Sequence, residues 1–275
     1  MIVAASAGLI ACNESHRARE LHTELGAGEL PVLFGAMDEH AEAQEVVERF
    51  QRLHQEDGIP WNEMVVLYRI NAISRVLEEM FRAADVPHIV ARGTAFYQRK
   101  EIKDALSYLR VLHNQADDIS LRRIVNVPAR GIGSTSMGRL ERFAARYGLG
   151  LAEAMRRRSE IEGLGKRAGA AIDRFIAMID GWQRAMSGGP IEISLADLVA
   201  RVLDESGMEQ SLRSNAQEED IDRVANLQEL VSAASERELE QDAAAEVDAP
   251  ASLAGRLASW LESITLVADA DMIDP

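Results

Sequence analysis

The sequence predicts a mainly α-helical chain with a small α/β part at its N-terminal end. Between residues 31 and 91, short apolar runs alternate with stretches of helical spacing, as in strands and helices that build a parallel sheet. From about residue 101, the apolar residues recur only at helical spacing. Because only 5% of the residues are aromatic, we expect cores built from Leu, Ile, Val and Ala.

The α/β part contains three short apolar runs that predict buried strands, at 31–37, 64–69 and 87–91. Helices are predicted between them at 38–55 and 71–86, the second with an N-cap near Asn71. Three short strands make a thin sheet. We therefore expect residues 1–104 to be an incomplete parallel-sheet domain.

Residues 105–272 are predicted to form an all-helical domain. Apolar positions at helical spacing predict helices at 101–114, 119–127, 134–147, 151–158, 165–186, 194–213, 218–240 and 252–268. The charged, low-complexity stretch 235–250 predicts a mobile connector. The many carboxylates in 216–248 are interpreted as parts of solvent-exposed helix faces and of this connector.

The net charge is −15, which by itself argues against a partner that is a nucleic acid. The charge is uneven, because residues 216–275 contain fifteen Asp and Glu but only three Arg. Residues 119–148, in contrast, contain six Arg and one Glu. A local basic surface is therefore compatible with nucleic acid.

Other residue types exclude several classes of protein. The single cysteine, Cys12, excludes an internal disulfide and agrees with a reducing compartment. No apolar run is long enough for a membrane span, and the apolar stretch 1–12, which lacks a basic start, predicts a buried helix rather than a signal peptide. The histidines lack metal-ligand spacing, and no carboxylate pair or serine motif indicates catalysis. No catalytic and no metal site is predicted.

The stretch 126–140, NVPARGIGSTSMGRL, predicts a sharp turn between two helices. Pro128 is expected to stop the first helix. Gly131 and Gly133 permit positive φ and leave backbone N–H groups open to a ligand. Ile132, between them, is expected to anchor the turn in the core below.

This turn has the chemistry of an anion site. Ser134 or Thr135 is expected to cap the next helix, whose positive N-terminal end then faces the glycines. With Arg130 nearby, the exposed N–H groups would suit a phosphate, which positions a nucleic-acid backbone without reading its sequence. The residues alone also allow a plain helix–helix turn in which glycine only ends a helix.

Three stretches in this order resemble the superfamily 1A DNA helicases of the UvrD, PcrA and Rep type. They are VVLYRINAISRVLEE at 65–79, AFYQRKEIKDALSYLR at 95–110 and RRIVNVPARGIG at 122–133. The resemblance is specific over about 63–133 and continues to 275 as a helical pattern. It implies that residues 1–104 are part of the second RecA-like domain, 2A, and that residues 105–272 are the helical domain 2B inserted into it.

The resemblance also implies a set of DNA-contacting residues: Arg69, Asn71, Arg130, Gly131, Ile132, Gly133 and Thr135. The first two would face the track of single-stranded DNA. The others belong to a helix-hairpin-helix-like turn at 128–135 that would touch duplex DNA ahead of the fork. The family therefore favours the phosphate interpretation of the turn.

The sequence departs from the family in two respects. Arg92 and Ala95 occupy two positions where the family often has glycine or a basic residue, so a single-strand contact from position 95 is lost. The phosphate loop, the acidic Mg²⁺ motif and the arginines that reach the γ-phosphate do not occur in this sequence. Gly165-Lys166 is interpreted as the start of a helix. We expect no cofactor on this segment, and ATP and Mg²⁺ in the full-length protein.

The sequence thus predicts a segment of an ATP-dependent 3′–5′ DNA helicase of repair or replication, which contacts DNA and regulates the motor but hydrolyses no ATP itself. The alternatives are a protein-interaction module with little affinity for DNA, and part of a helicase–nuclease of the RecB or AddA kind. The expected partners are single-stranded DNA and the duplex junction, with protein partners through the helical domain and no membrane. The expected location is the cytoplasm, in association with the nucleoid.

Overall fold

The computed structural model describes residues 2–13, 22, 23, 26, 28–90, 95–187, 193–215, 218–244 and 252–270. Its α-helices are α1 (Ile2–Ala11), α2 (Glu39–Glu56), α3 (Ser74–Ala83), α4 (Lys100–His113), α5 (Asp118–Ile124), α6 (Ser134–Tyr147), α7 (Leu151–Arg156), α8 (Lys166–Met186), α9 (Leu195–Glu205), α10 (Met208–Asn215), α11 (Glu218–Ala244) and α12 (Leu253–Ala270). Short 3₁₀ turns occur at Trp61–Glu63, Asn71–Ile73, Phe96–Gln98 and Arg158–Glu160. The prediction of a mainly α-helical chain is confirmed.

The larger core is built around α4, which packs against α5, α8, α9, α11 and α12. The apolar residues of α4 recur at helical spacing, and those on its inner face are all buried: Ile102, Ala105, Leu106, Leu109 and Leu112. Trp182 of α8 and Trp260 of α12 lie in the same core. Burial of each large apolar side chain contributes about 1.5–3 kcal/mol, so this core is the main source of stability.

A smaller core lies between α2 and α3. α2 begins at Asp38, whose Oδ1 accepts a hydrogen bond from the backbone N–H of Ala41 at 2.8 Å. The smaller core ends at Val86 along the chain, whereas the larger one begins at Phe96. The boundary predicted between residues 104 and 105 falls inside α4, and the division into two domains stays a prediction.

The prediction of three strands is wrong for the described residues, because none of those in 31–37, 64–69 and 87–90 is in a strand. Many of their apolar side chains face solvent instead, with Leu33 99% and Leu67 88% exposed, although Val66 packs against the smaller core. Parallel sheets are stable when helices cover both faces. Here α2 and α3 pack against each other, so among the described residues they do not cover two faces of a sheet.

Four helix predictions need correction in detail. Residues 2–11 form a helix, but it is not buried, since Leu9 is 77% exposed. The helix predicted at 194–213 is divided into α9 and α10 at Gly207, which has a φ of +80°. The connector predicted at 235–250 is helical as far as Ala244, and its remainder lies outside the described residues. α3 begins at Ser74 without a side-chain cap, so Asn71 is not its N-cap.

None of the described helices combines the length and the apolar character that a membrane crossing requires.

Candidate nucleic-acid interface

The turn between α5 and α6 presents glycine backbone to solvent. Gly131 has a φ of +79°, whereas Gly133 has ordinary extended backbone with a φ of −75°. Both glycines are exposed, and a Cβ added at Gly133 would meet no atom within 4 Å. Only Gly131 therefore needs the positive φ that the sequence suggested for both.

Ile132 lies between the two glycines and points the other way. Its side chain is 2% exposed and belongs to the larger core, so the prediction that it anchors the turn is confirmed. Because the side chain is enclosed, any contact of this residue with DNA would use its backbone N–H. The turn thus has a fixed inner side and an open outer side.

α6 begins directly after the turn. Its N-cap is Gly133, so the prediction that Ser134 or Thr135 caps it is wrong: both residues are already inside the helix. The first turn of α6 contains no acidic residue, and the N-cap provides no side-chain acceptor. The first N–H groups of an uncapped helix carry the positive end of its dipole, which attracts anions.

Arg130 is oriented into the protein rather than toward solvent. Its Nη1 donates to the carbonyls of Ile124, Val127 and Pro128 at 3.2, 2.8 and 3.1 Å, and its Nη2 donates to the carbonyl of Ser206 at 2.8 Å. The guanidinium also lies over the rings of Tyr108 and Phe175, 5.8 and 5.3 Å from their centroids. Its first role is thus to hold the turn, and its contact with DNA stays a prediction.

The start of α8 lies beside the same turn. A Cβ added at Gly131 would be 4.0 Å from Nε of Arg167. Lys166 and Arg167 form the exposed first turn of α8, and within the described part of the chain they make no ion pair. The N-cap of α8, Gly165, likewise has no side-chain hydrogen bond, and the first turn contains no acid.

Sequence reasoning recognised 165–166 as the start of a helix, which is confirmed, but it missed the proximity of this helix to the turn. The sequence pattern that could have indicated a second anion-binding helix start is Gly165 followed by Lys166 and Arg167, with no acid in the first turn. Together the two helix starts and Arg167 form what we name the glycine-turn surface: residues 131–135 and 165–167.

The basic stretch 119–148 is partly neutralised by partners. Arg122 pairs with Glu141 at 2.7 Å, and Arg123 pairs with Asp104 at 2.6 Å. The guanidinium of Arg130 donates to backbone carbonyls, and the other exposed or half-exposed arginines of this stretch that have no carboxylate partner among the described residues are Arg139, Arg142 and Arg146. The positive charge that a ligand could meet comes from these arginines and from the start of α8.

The second predicted group, Arg69 and Asn71, lies in the bend and 3₁₀ turn that precede α3. Arg69 is exposed and makes no ion pair with the described residues. Asn71 is also exposed, but its Nδ2 donates to Oδ2 of Asp222 in α11 at 2.9 Å. That these two residues face single-stranded DNA stays a prediction, and Arg92 lies outside the described residues.

Asn71 belongs to a polar contact between α3 and α11 that we name the α3–α11 junction. It is formed by Asn71, Ser74, Arg75 and Arg99 on one side and by Asp222, Asn226, Glu229 and Glu236 on the other. At its centre Arg75 is 2% exposed and donates to Glu229 at 2.6 Å and to Glu236 at 2.9 Å. Arg99 bridges Asn226 at 2.7 Å and Ser74 at 2.6 Å.

The junction corrects the interpretation of the carboxylates in 216–248 as solvated groups. The members that hydrogen-bond or pair with other elements are Asp222, Glu229, Glu236, Glu238 and Asp242. Burial raises the pKa of Glu236, although the Arg75 guanidinium opposes this. Burial lowers the pKa of Arg75, but the surrounding carboxylates outweigh that effect and hold it above its usual range.

A group of possible metal ligands adjoins the junction. Ligand atoms of Glu39, His40 and Glu236 lie within 4.8 Å of one another, a proximity that sequence spacing did not reveal. The Glu236 carboxylate already accepts a hydrogen bond from Arg75, so a bound cation would face a guanidinium there. The absence of a metal site stays a prediction.

The structure thus combines a helical core with an exposed glycine turn and with helix starts that carry basic residues and no acid. The chain belongs to the family of the UvrD-like helicase C-terminal domain, whose model matches residues 1–165. The resemblance stated from the sequence is thereby confirmed.

Individual relatives extend this match over almost the whole chain. The chain is 38% identical over 277 residues to the ATP-dependent DNA helicase UvrD1 of Mycobacterium tuberculosis (strain ATCC 25618 / H37Rv), covering 99% of this chain and 35% of that protein. It is 33% identical over 273 residues to the ATP-dependent DNA helicase PcrA of Staphylococcus aureus (strain NCTC 8325 / PS 47), with 99% and 35% covered. The chain therefore spans about a third of the length of these relatives.

Proposed function

We propose that this chain is the part of an ATP-dependent 3′–5′ DNA helicase that comprises a portion of domain 2A and domain 2B. In this role it contacts the backbone of duplex DNA through the glycine-turn surface. The observation that carries the proposal is the exposed turn at Gly131 and Gly133, with an uncapped helix start behind it and Arg167 beside it.

The chemistry of this surface suits phosphate rather than bases. Glycine leaves the backbone N–H groups uncovered, and two helix N-termini add partial positive charge without a competing acid. These groups can position a nucleic-acid backbone but cannot distinguish one base from another. The expected ligand is therefore duplex DNA of any sequence, as a motor that moves along DNA requires.

The remaining functions of the helicase belong to the longer protein. Its relatives carry the name ATP-dependent DNA helicase, and this chain corresponds to 35% of their length. We place ATP and Mg²⁺ in the full-length protein and strand separation in DNA repair or replication. The location that follows is the cytoplasm, with the nucleoid.

Regulation is the second part of the proposed role. The α3–α11 junction connects the two parts of the chain by polar contacts, so the helical domain is in a position to influence residues 69–71 of the 2A portion. Protein partners of the helical domain would act through the same connection. This role is separable from DNA contact by the turn.

A pair of matched substitutions tests the DNA contact. A Cβ at Gly133 or at Gly181 would meet no atom within 4 Å, so a glutamate fits at either position. Gly133→Glu places a negative charge on the glycine-turn surface, whereas Gly181→Glu places the same charge near the other end of α8. Binding of each variant to a duplex with a 3′ single-stranded tail is measured by fluorescence anisotropy at several salt concentrations, after circular dichroism has shown that it folds.

We expect Gly133→Glu to lower the affinity by about tenfold or more at low salt, because the charge would repel phosphate. Gly181→Glu should change it by less than about threefold. Arg167→Ala should reduce the steepness of the salt dependence by about one phosphate contact. Equal binding by wild type and both glutamate variants would contradict the proposal and would leave 131–133 as a structural turn.

A further inference from the structure

The hydrogen bond between Asn71 and Asp222 places an acidic group on a residue that the family resemblance assigns to single-stranded DNA. The Nδ2 atom of Asn71 is 2.9 Å from Oδ2 of Asp222. Asn71 is exposed, and Asp222 is half-exposed on α11. The amide of Asn71 is therefore reached from solvent, but one of its donors is already used.

A carboxylate and a phosphate compete for such a donor. Both are anions with oxygen acceptors, and both bind an amide N–H with similar geometry. They also repel each other at short distance, so the Asp222 carboxylate opposes a phosphate at the Asn71 amide although the second N–H of that amide is unused. The two contacts therefore compete.

The surroundings of Asn71 are otherwise suited to an anionic strand. Arg69 is two residues earlier in the chain, exposed and without an ion pair among the described residues. Asp222 also acts electrostatically on Arg99, whose guanidinium lies at the junction. Removal of the Asp222 charge would remove one source of repulsion for a phosphate that approaches these cations.

We propose that Asp222 is an autoinhibitory residue, which occupies Asn71 as a substitute for DNA phosphate and must be displaced when a single strand binds. The inference rests on the proposed function, because it needs a DNA strand at residues 69–71. It goes beyond that function by making strand binding compete with a contact from α11. Binding of the strand is then coupled to a loosening of one edge of the α3–α11 junction.

The contact is suited to this role because other contacts hold the same elements together. Arg75 and Arg99 connect α3 and the start of α4 to α11 through Glu229, Glu236 and Asn226, in hydrogen bonds that do not include Asp222. Loss of one half-exposed hydrogen bond can be replaced by water. The junction therefore remains closed at its centre when Asp222 is displaced.

The test is a double-mutant cycle on single-strand binding. Wild type, Asp222→Ala, Asn71→Ala and the double variant are titrated with a fluorescent oligothymidylate at low salt, after circular dichroism has shown that each folds. Glu262→Ala is the control, since Glu262 is an exposed acid on α12 and its removal changes the net charge equally. Asp222→Ala should bind about threefold to tenfold more tightly than wild type, and the gain should vanish when Asn71 is also alanine.

Each other outcome overturns the inference. A gain by Asp222→Ala that persists without Asn71, or an equal gain by Glu262→Ala, would show a general effect of charge. No gain by Asp222→Ala would show that the contact does not oppose the strand. If Gly133→Glu still weakens binding of the tailed duplex, the proposed function survives these failures; if neither DNA is bound, both ideas fail together.

Discussion

Arg130 shows how the fold can use a cation that the sequence places at a candidate phosphate site. Four carbonyl oxygens at the end of α5, in the following turn and at Ser206 converge on one guanidinium. Carbonyls that leave a helix need donors, and a planar guanidinium can supply several of them from one side chain. The positive charge near the turn therefore has a structural use before it has any use in binding.

Arg130→Lys should destabilise the protein although the charge is kept. A lysine ammonium cannot reproduce the fork that reaches the carbonyls of both Val127 and Ser206, and unpaired carbonyls in a partly enclosed site cost about 1–3 kcal/mol. Urea unfolding of wild type and variant measures the difference. A variant as stable as wild type would show that the guanidinium is not needed by the fold.

Asp117 gives a pH-dependent prediction at the start of α5. Although burial opposes the shift, hydrogen bonds from Ser120 lower the pKa of Asp117 below 3.8. Because the folded pKa is depressed, the stabilisation is present above the unfolded value and is lost as pH falls through the folded one. Asp117→Ala should therefore cost about 1 kcal/mol at neutral pH, as expected for an N-cap.

The same cost should shrink when the pH falls below 3.8, because protonated Asp117 is a weaker acceptor. Urea unfolding of wild type and Asp117→Ala at neutral and acidic pH makes the comparison. An unchanged difference between the two proteins across this range would mean that the carboxylate does not act as the cap.

At the scale of elements, α11 has two adjacent faces: an apolar face that packs in the larger core and a polar face that contacts the residues around α3. Leu227, Leu230 and Ala234 are buried in the larger core. Asp222, Asn226, Glu229 and Glu236 recur near helical spacing and face the elements around α3. The acidic composition of this helix therefore reflects its contact with Arg75 and Arg99 as much as its exposure to water.

Arg75→Met should weaken the junction, because it leaves the Glu229 and Glu236 carboxylates without their cation. We expect a loss of about 2 kcal/mol at neutral pH, less than for a fully buried pair since these carboxylates are partly exposed. Urea unfolding at about pH 5 and about pH 8 tests both the size and the pH dependence.

The sign of the pH effect follows from Glu236. Burial already raises its pKa, so its ionisation costs stability as pH rises from 4.5 through the folded value. Without Arg75 the opposing cation is lost and the pKa rises further. The deficit of Arg75→Met should thus be larger at the higher pH, and a deficit that is constant or larger at the lower pH would contradict this account.

At the scale of the whole molecule, a net charge of −15 coexists with basic groups at the turn because most of the excess negative charge belongs to residues 216–275. Asp104 and Glu141 neutralise two arginines near the turn, and the acids of α11 serve the junction. The total charge is therefore a poor guide to what the glycine-turn surface can bind.

Periodicity predicted the helices well, since α2, α6 and α8 depend on an apolar face that local spacing reveals. The prediction of strands at 31–37 and 64–69 was wrong, because a strand is stable only when it pairs with another strand, and a local sequence pattern does not reveal whether such a partner exists. The burial of Ile132 could be predicted from its place between two glycines. The role of Arg130 could not, because its acceptors are backbone carbonyls and one lies 76 residues away.

The contacts made by the two faces of α11 also differ in whether water can replace them. Water can take over the hydrogen bonds of the α3–α11 junction, but it cannot replace the apolar contacts of Leu227 and Leu230. A rigid-body movement of the helical domain would therefore separate the chain along the junction and carry α11 with α4 and α9. Such a movement would leave the apolar contacts within each core intact.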